Sequence, residues 1–522
     1  MSAHQPASRP FRDRYLDGEL DAYFRLQPGN TGGALATPRA VDRDALTAAL
    51  ERYARDRHAP EAVFTALDEL RHPDSRAVVT GQQVGLLLGP AYTLSKAVTA
   101  LKLAEQLSGD ERPVVAIFWL ASQDHDSAEI DHSYLLDLDE TLHRLELPLP
   151  RGTPAGRIRL QDGWAEQIID ELAKLNVNQP FYEDVRERLR RSAEHAQSYA
   201  DWFAGLLYDL LGDQGLIVLD PLEPGLAPLF RDVLAREVRD PLSSSDAINR
   251  AADALRDQGL DPQLGRGEQA TNLFFETDDG QRQLLRYDDG LFRSENAEFT
   301  PDDLLSLLDR DPSRLTPAAG LRPVTQDAVL PTAITVVGPG ELRYFCQLQG
   351  VYEAHGVAMP LIWPRATVTV LEPPVHRILD KFELSHHDIQ ERYTDVRDRV
   401  LLDLHGHAEA FDHHLDELER LADHLVEHVR AIDPTLERTV RRGEGYIETT
   451  FETLRDKSAR ALAKQDSIYS RQFRRLHAHL LPEDTPQERI LSPFSFFLKF
   501  GAENVVREFL RLEPHGDHTI RF

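Results

Sequence analysis

Ala77-Val78-Val79-Thr80-Gly81-Gln82-Gln83-Val84-Gly85 opens a stretch that Val114-Val115-Ala116-Ile117-Phe118-Trp119-Leu120-Ala121-Ser122-Gln123-Asp124-His125-Asp126 closes, and together they decide the fold. Each begins with a short apolar run and stops abruptly at polar residues, the signature of a strand buried on both faces. Between them, Leu86 to Leu107 reads as a loop entering a long amphipathic helix. The unit is β-α-β, with polar groups crowded past the carboxyl ends of both strands. Open parallel sheets bind ligands at that edge, so chemistry is expected there.

The pattern recurs downstream. Leu216-Ile217-Val218-Leu219-Asp220, Thr332-Ala333-Ile334-Thr335-Val336-Val337 and Pro360-Leu361-Ile362-Trp363-Pro364-Arg365 each read as a buried strand with a polar or turn-forming exit. Strands alternating with helices over 77–370 predict an α/β fold with a parallel, doubly wound sheet. That core is expected to span 1–383, with a helical N-terminal region and inserts at about 133–210 and 240–330. Within the second insert, Asp278-Asp279-Gly280 and Asp288-Asp289-Gly290 separate three short strand-like runs, a β-meander. Thr300-Pro301-Asp302-Asp303 reads as a capped helix start.

From 384 to 482 the periodicity changes. Phe411, Leu415, Leu418, Ala422, Leu425, Val429 and Ile432 follow heptad spacing, and Asp433-Pro434 interrupts it. Ile447, Phe451, Leu454, Ser458, Ala461, Gln465 and Ile468 then repeat the spacing, predicting an antiparallel coiled-coil hairpin. The tail, 483–522, contains Phe494-Ser495-Phe496-Phe497-Leu498-Lys499-Phe500 and is expected to pack on the core.

The 522 residues carry 59 basic and 87 acidic side chains, a formal charge of −28, which argues against nucleic acid or anionic membrane as a partner of the general surface. No apolar run approaches the ~20 residues of a membrane span, and no apolar leader follows Met1. The single cysteine, Cys346, fits a reducing cytoplasm, where the protein is expected to reside. The scarcity of lysine, seven in all, suits a saline cytoplasm, and GC-rich codon usage gives the same bias.

Gly81, Gly85 and Gly89 lie between strand and helix, where bare backbone lets N–H groups approach an anion. Neither the dinucleotide fingerprint nor the P-loop pattern is met; turn geometry alone also accounts for these glycines. Gln82 and Gln83 at the strand end, with Pro90, Tyr92, Thr93 and Lys96 at the helix start, form a compact candidate binding set. Lys96 reads as a clamp for phosphate or carboxylate, or as an ordinary solvated lysine. Asp124, His125, Asp126, Glu129 and His132 follow the second strand. A helix there would put His125, Glu129 and His132 on one face, which admits three readings: metal ligands, hydrogen-bonding groups for a polar substrate, or a satisfied helix cap. Gly338-Pro339-Gly340-Glu341 with Tyr344 repeats the glycine turn at another strand end, and Arg365 supplies a fork for carboxylate or phosphate, or covers that strand end.

At these residues the chain resembles the bacillithiol biosynthesis cysteine-adding enzymes, a family of cysteine ligases. The resemblance is carried by Val79 to Ala97, by Phe118-Trp119-Leu120-Ala121-Ser122-Gln123-Asp124-His125-Asp126 with Glu129 and His132, and by Val337 to Tyr344 leading to Met359-Pro360 and Pro364-Arg365. It extends over nearly the whole chain. It implies that the parallel-sheet core is Rossmann-like and related to class I aminoacyl-tRNA synthetases, a coiled coil that forms a homodimer, and addition of cysteine to glucosaminyl-malate, the last step of bacillithiol synthesis. No metal is implied, and the resemblance leaves room for an adenine nucleotide, ATP or ADP. Within that reaction, a histidine between carboxylates is suited to grip an amine and supply a general base, so Asp124, His125, Asp126 and Glu129 are the expected catalytic residues. Substrate binding falls to Gln82, Gln83, Gly89, Pro90, Tyr92, Thr93, Lys96, Trp119, His132, Gly338, Gly340, Glu341, Tyr344 and Arg365. The chain departs from class I synthetases in having no H-x-G-H motif at the first turn and no lysine after Pro364. The rivals are a metal-dependent hydrolase or deacetylase built on Asp124-His125-Asp126, and a non-catalytic coiled-coil scaffold.

Overall fold

The computed structural model describes residues 9–176 and 180–522. The chain divides into two compact units. One gathers the residues up to Asp137 with His143–Val368 and Leu491–Ile520; the other consists of Leu138–Leu142, Thr369–Ile490 and the last two residues.

The first unit is built on five strands: β1 (Arg76–Gln82), β2 (Val114–Leu120), β3 (Ile217–Leu219), β4 (Thr332–Val337) and β5 (Leu361–Pro364). Their order is β5-β4-β1-β2-β3, and every pair is parallel. β2 and β4 are buried along their whole length, the reason their sequences are unbroken apolar runs rather than alternating ones. Chain order reverses between β1 and β4, so the topological switch point of this Rossmann-like sheet lies there. Register aligns the exits: Gly81 lies opposite Trp119, Gln82 opposite Leu120, and Val337 opposite Pro364.

The helix Tyr92–Leu107 packs against β1 and β2. Leu94, Ala97, Val98, Ala100, Leu101 and Ala104 form its covered face. The loop that feeds it is forced into an uncommon backbone. Leu87 and Leu88 have φ of 51° and 65°, left-handed values that cost a side-chain-bearing residue roughly 1–2 kcal/mol each. The C-terminal segment holds that loop in place: Ser492 Oγ donates to the Leu87 carbonyl at 2.8 Å, and the Ala91 N–H donates to the Leu491 carbonyl at 2.8 Å. Phe494, Phe496 and Phe497 of the helix Phe494–Phe500 are fully buried.

The second insert forms an antiparallel sheet whose strands are ordered Leu315–Pro317, Ala270–Glu276, Arg282–Asp288, Leu291–Arg293 and Glu298–Phe299. The predicted meander supplies its middle three strands. Asp289 and Gly290 both have positive φ, 49° and 82°, as the tight turn between the second and third of these requires. Thr300 caps Pro301–Arg310 reciprocally with Asp303.

The second unit is helical. Val375, Ile378, Leu379, Ile389, Val396, Val400, Phe473, Leu476 and Leu480 make its core. Two long helices, Ala408–Arg430 and Glu437–Gln465, pack side by side. Arg441 pairs with Asp423 and Arg455 with Asp412, so they run antiparallel as a hairpin. The predicted heptad stripe faces inward in the first helix, where Phe411, Leu415, Leu418 and Val429 are half-buried, and largely outward in the second. Ala422 and Val426 are buried, while Leu425, Ile447, Leu454 and Ile468 are 45%, 45%, 48% and 64% exposed. A 3.5-residue repeat drifts by about 20° per heptad on a straight helix, which turns part of the predicted stripe outward.

Candidate functional site

Lys96 lies on the buried face of the first β-α-β helix and is only 2% exposed. A buried ammonium must be answered by acceptors, and three are present. Nζ donates to the Gly81 carbonyl and to Gln82 Oε1, each at 2.9 Å, and it forms an ion pair with Glu341. Burial pulls the Lys96 ammonium below its ordinary pKa, with Glu341 opposing that pull. Glu341 is fixed from its own side, since its carboxylate accepts the Gly338 N–H at 2.7 Å. The pair therefore bridges the helix that follows β1 and the helix Pro339–Phe345 that follows β4, across the switch point.

Two further cations lie beside this pair. Arg365, 3% exposed at the exit of β5, lies over the Tyr92 ring at 5.4 Å and donates to the Ala366 carbonyl at 2.9 Å. Arg322, at the start of the helix Arg322–Val329, reaches the same place. Burial works against its charge, but Tyr344 and Glu341 outweigh that and hold its pKa above the ordinary value. A Cβ placed on Gly338 would lie 3.4 Å from Glu341 Oε2, 3.7 Å from Lys96 Cε and 4.0 Å from Arg365 Nε. Gly338 is thus the bare floor on which three named side chains converge. Tyr92 completes the set, its hydroxyl accepting from Gln82 Nε2 at 3.1 Å.

A second group gathers past β2. Gln83 Nε2 donates to Asp124 Oδ2 at 2.8 Å and to Glu129, tying the first turn to the second. His125 stands beside Arg282 of the inserted sheet, with Nη1 to Nδ1 at 3.5 Å, and meets the edge of Phe274 with ring centres 5.4 Å apart. Burial first, and Arg282 second, hold the imidazole below its usual pKa. Arg282 stacks on Phe274 at 4.0 Å and donates to the Pro317 carbonyl at 2.7 Å; burial lowers its pKa to about 10.

The remaining candidates are distributed differently. The helix after β2 is short, Ser127–Ile130, with Asp126 as its N-cap. The single helical face expected for His125, Glu129 and His132 is therefore not formed. His132 starts a strand instead and bonds Asp131 at 2.8 Å through Nδ1. Among the described residues no three histidine, cysteine or acidic side chains are arranged to hold a metal ion. Trp119 is 1% exposed and packs on Phe230, beneath the site rather than in it. Thr93 is buried, Pro90 is half-buried, and Gly89 takes φ 63° at the end of the strained loop. Tyr344 is half-buried, and desolvation lifts its phenol to about 12. Gly340 is exposed, with open space around its Cα. Arg322 and Arg282 were not visible as site residues in the sequence, because both come from the second insert, where no motif marks them.

Comparison with known proteins follows the two-unit division. The model of bacillithiol biosynthesis BshC, N-terminal Rossmann-like domain, matches residues 19–366, and that of the BshC C-terminal coiled-coil domain matches residues 368–520. A Thermus thermophilus protein named "Putative cysteine ligase BshC" is 43% identical over 443 residues, 85% of this chain and 87% of the relative. Proteins of the same name from Salinibacter ruber and Geobacillus thermodenitrificans are 34% and 31% identical. They cover 94% and 92% of this chain and 92% and 91% of their own lengths. A solved structure titled a putative arginyl-tRNA synthetase, from Campylobacter jejuni, is 10% identical over 88% of this chain and all of its own. Its TM-score of 0.22 is too slight to bear on the fold.

Proposed function

Because the chain belongs to the bacillithiol biosynthesis BshC family, we propose that it is a ligase joining L-cysteine to glucosaminyl-malate through an amide bond, the last step of bacillithiol synthesis. The bond joins the cysteine carboxyl to the sugar amine. Two things are then required of the protein. It must hold anionic groups against water, and it must take a proton from an ammonium so that nitrogen can attack.

The observation that supports this reading is the cluster of cations at the switch point. Lys96, Arg322 and Arg365 gather beside Glu341, so an entering carboxylate or phosphate meets ammonium and guanidinium donors in a desolvated crevice. Beside it, Asp124 and Glu129, tethered through Gln83, offer carboxylates to an ammonium and are suited to accept its proton. A carboxylate is a poor electrophile at neutral pH, and an adenine nucleotide, ATP or ADP, is the activating partner in this reading. Lys96, Arg322 and Arg365 would hold its phosphates over Gly338, and the nucleotide would supply the activation of the carboxyl group. The outward apolar stripe of the helical hairpin supports a homodimer formed through it.

The test is incubation of the full chain with cysteine and glucosaminyl-malate, together with ATP, ADP or neither. Mass spectrometry looks for the condensed thiol, one water lighter than its parts. Lys96→Met is expected to lower turnover by about 100-fold or more. No condensed product under any of the three conditions would sink the proposal.

A further inference from the structure

Away from the switch point, a cavity of about 590 Å³ opens at the carboxyl end of β3. Neither the Lys96–Glu341 group nor the Asp124–His125 group lines it. Asp220 and Tyr53 do, and they are 6% and 1% exposed. Asp220 Oδ1 is already engaged, accepting the Ser122 hydroxyl and, at 2.8 Å, the Leu222 N–H. Oδ2 has no hydrogen-bond partner among the described residues. The Tyr53 hydroxyl is likewise buried without one.

The nearby cation does not answer them. Arg57 lies 3.5 Å over the Tyr53 ring, but its guanidinium is committed to Asp201 through both Nε, at 2.8 Å, and Nη2. Burial consequently lifts the Asp220 carboxyl to about 6. A buried phenol left unpaired costs free energy, and so does a carboxylate held 6% exposed without a cation of its own. Asparagine and phenylalanine would fill the same space without a raised carboxyl or an orphaned hydroxyl. Arg159 stands exposed at the mouth with Glu223 beside it, and Arg157, also exposed, pairs through Nε with Glu276 at 3.2 Å and leaves its terminal nitrogens to the mouth.

We propose that this cavity is a second ligand site, taking a small polar molecule that carries both a protonated amine and a carboxylate. The amine meets Asp220 Oδ2 and the Tyr53 hydroxyl, and the carboxylate meets Arg157 and Arg159. Both substrates of the proposed ligation carry that pair of groups, so naming either as the occupant rests on the ligase reading. The site itself does not.

The experiment is calorimetric titration of the full chain with L-cysteine and, separately, with glucosaminyl-malate. N-acetylcysteine, which lacks the protonated amine, and cysteamine, which lacks the carboxylate, serve as comparison probes. One parent compound is expected to bind at this site, and its truncated analogues about tenfold or more weakly. Asp220→Asn is expected to weaken that binding by about 10–30-fold, while Lys96→Met leaves it unchanged. A second readout concerns protons. At pH 6 the carboxyl is half protonated, so a bound cation drives off about half a proton per site. The binding heat should then vary with the ionisation enthalpy of the buffer, and this dependence should vanish in Asp220→Asn. The proposal is overturned if no amine-bearing probe binds at millimolar concentration. It is also overturned if affinity and proton release are the same in an Asp220→Asn protein that melts as the parent does. Binding that persists without any ligation product would count against the ligase reading and leave this site standing.

Discussion

Arg282 Nη1 lies 3.5 Å from His125 Nδ1. A guanidinium has only donors, so Nδ1 is the acceptor and the neutral ring carries its proton on Nε2. His125 therefore presents an N–H to the site, and in the proposed ligation the proton is accepted by Asp124 or Glu129. Imidazole nitrogen NMR of labelled protein should show the Nε2–H tautomer at pH 7 to 8. Arg282→Gln should release a mixture of tautomers and raise the ring's pKa, with turnover falling by about 10–100-fold. An Nδ1–H signal in the parent protein would remove Arg282 from this role.

Two glycines in the same edge separate packing from chemistry. A Cβ on Gly81 would lie 2.6 Å from the Trp119 carbonyl oxygen, a backbone atom of the neighbouring strand that cannot move aside. Gly81→Ala should cost about 1–3 kcal/mol in urea unfolding. Gly338 has extended backbone, φ −81° and ψ 171°, and its Cβ would meet only contacts of 3.4 Å or longer. Gly338→Ala should melt within about 0.5 kcal/mol of the parent, yet lose activity because the methyl stands where Lys96, Glu341 and Arg365 converge. Equal stability losses in the two variants would contradict the division.

The parallel sheet was readable because burial on both faces writes itself into runs such as Val114 to Leu120, and the polar strand exits marked the edge where the site lies. Lys96 stood out through the scarcity of lysine, and Glu341 through a glycine turn that repeats the first. Their ion pair was not readable, because it depends on β4 returning beside β1 after more than two hundred residues. Arg282 and Arg322 were hidden for a related reason: arginines are common in this chain, and only the folding back of the insert sets these two apart. The short helix after Asp126 escaped periodicity, since four residues are too few to carry a 3.6-residue signal. In the hairpin, a heptad count found the helices and the covered stripe of the first, but not that of the second, where Ile447 and Leu454 face outward.

That outward stripe yields a test of assembly. Leu421, Leu425, Ile447 and Leu454 are each more than two-fifths exposed in the single chain. Sedimentation equilibrium should give twice the 59.1 kDa chain mass. Leu425→Asp with Leu454→Asp should give the monomer, with helix content unchanged, because neither side chain is buried within one chain. A parent protein that sediments as a monomer at micromolar concentration would end the dimer reading.

The last expectation concerns pH and Asp220, whose carboxyl is raised from 3.8 to about 6 by burial, with the Ser122 hydroxyl and the Leu222 N–H opposing. The folded state binds the proton more tightly than the unfolded chain does, so between these values the native protein holds more protons. Stability contributed by this group is fully present below pH 4 and is lost as pH rises through 6. A displacement of about two pH units is worth about 3 kcal/mol. Asp220→Asn keeps an oxygen for the Ser122 hydroxyl and the Leu222 N–H to donate to, but cannot ionise. Relative to that variant, the parent should lose about 2–3 kcal/mol between pH 4 and pH 7, read as the difference between their melting profiles. All other titrating groups are common to both proteins and cancel in that difference when they lie far from the substitution. Melting profiles that run parallel across this range would mean that the carboxyl titrates alike in the folded and the unfolded chain, and that burial beside Tyr53 does not raise it.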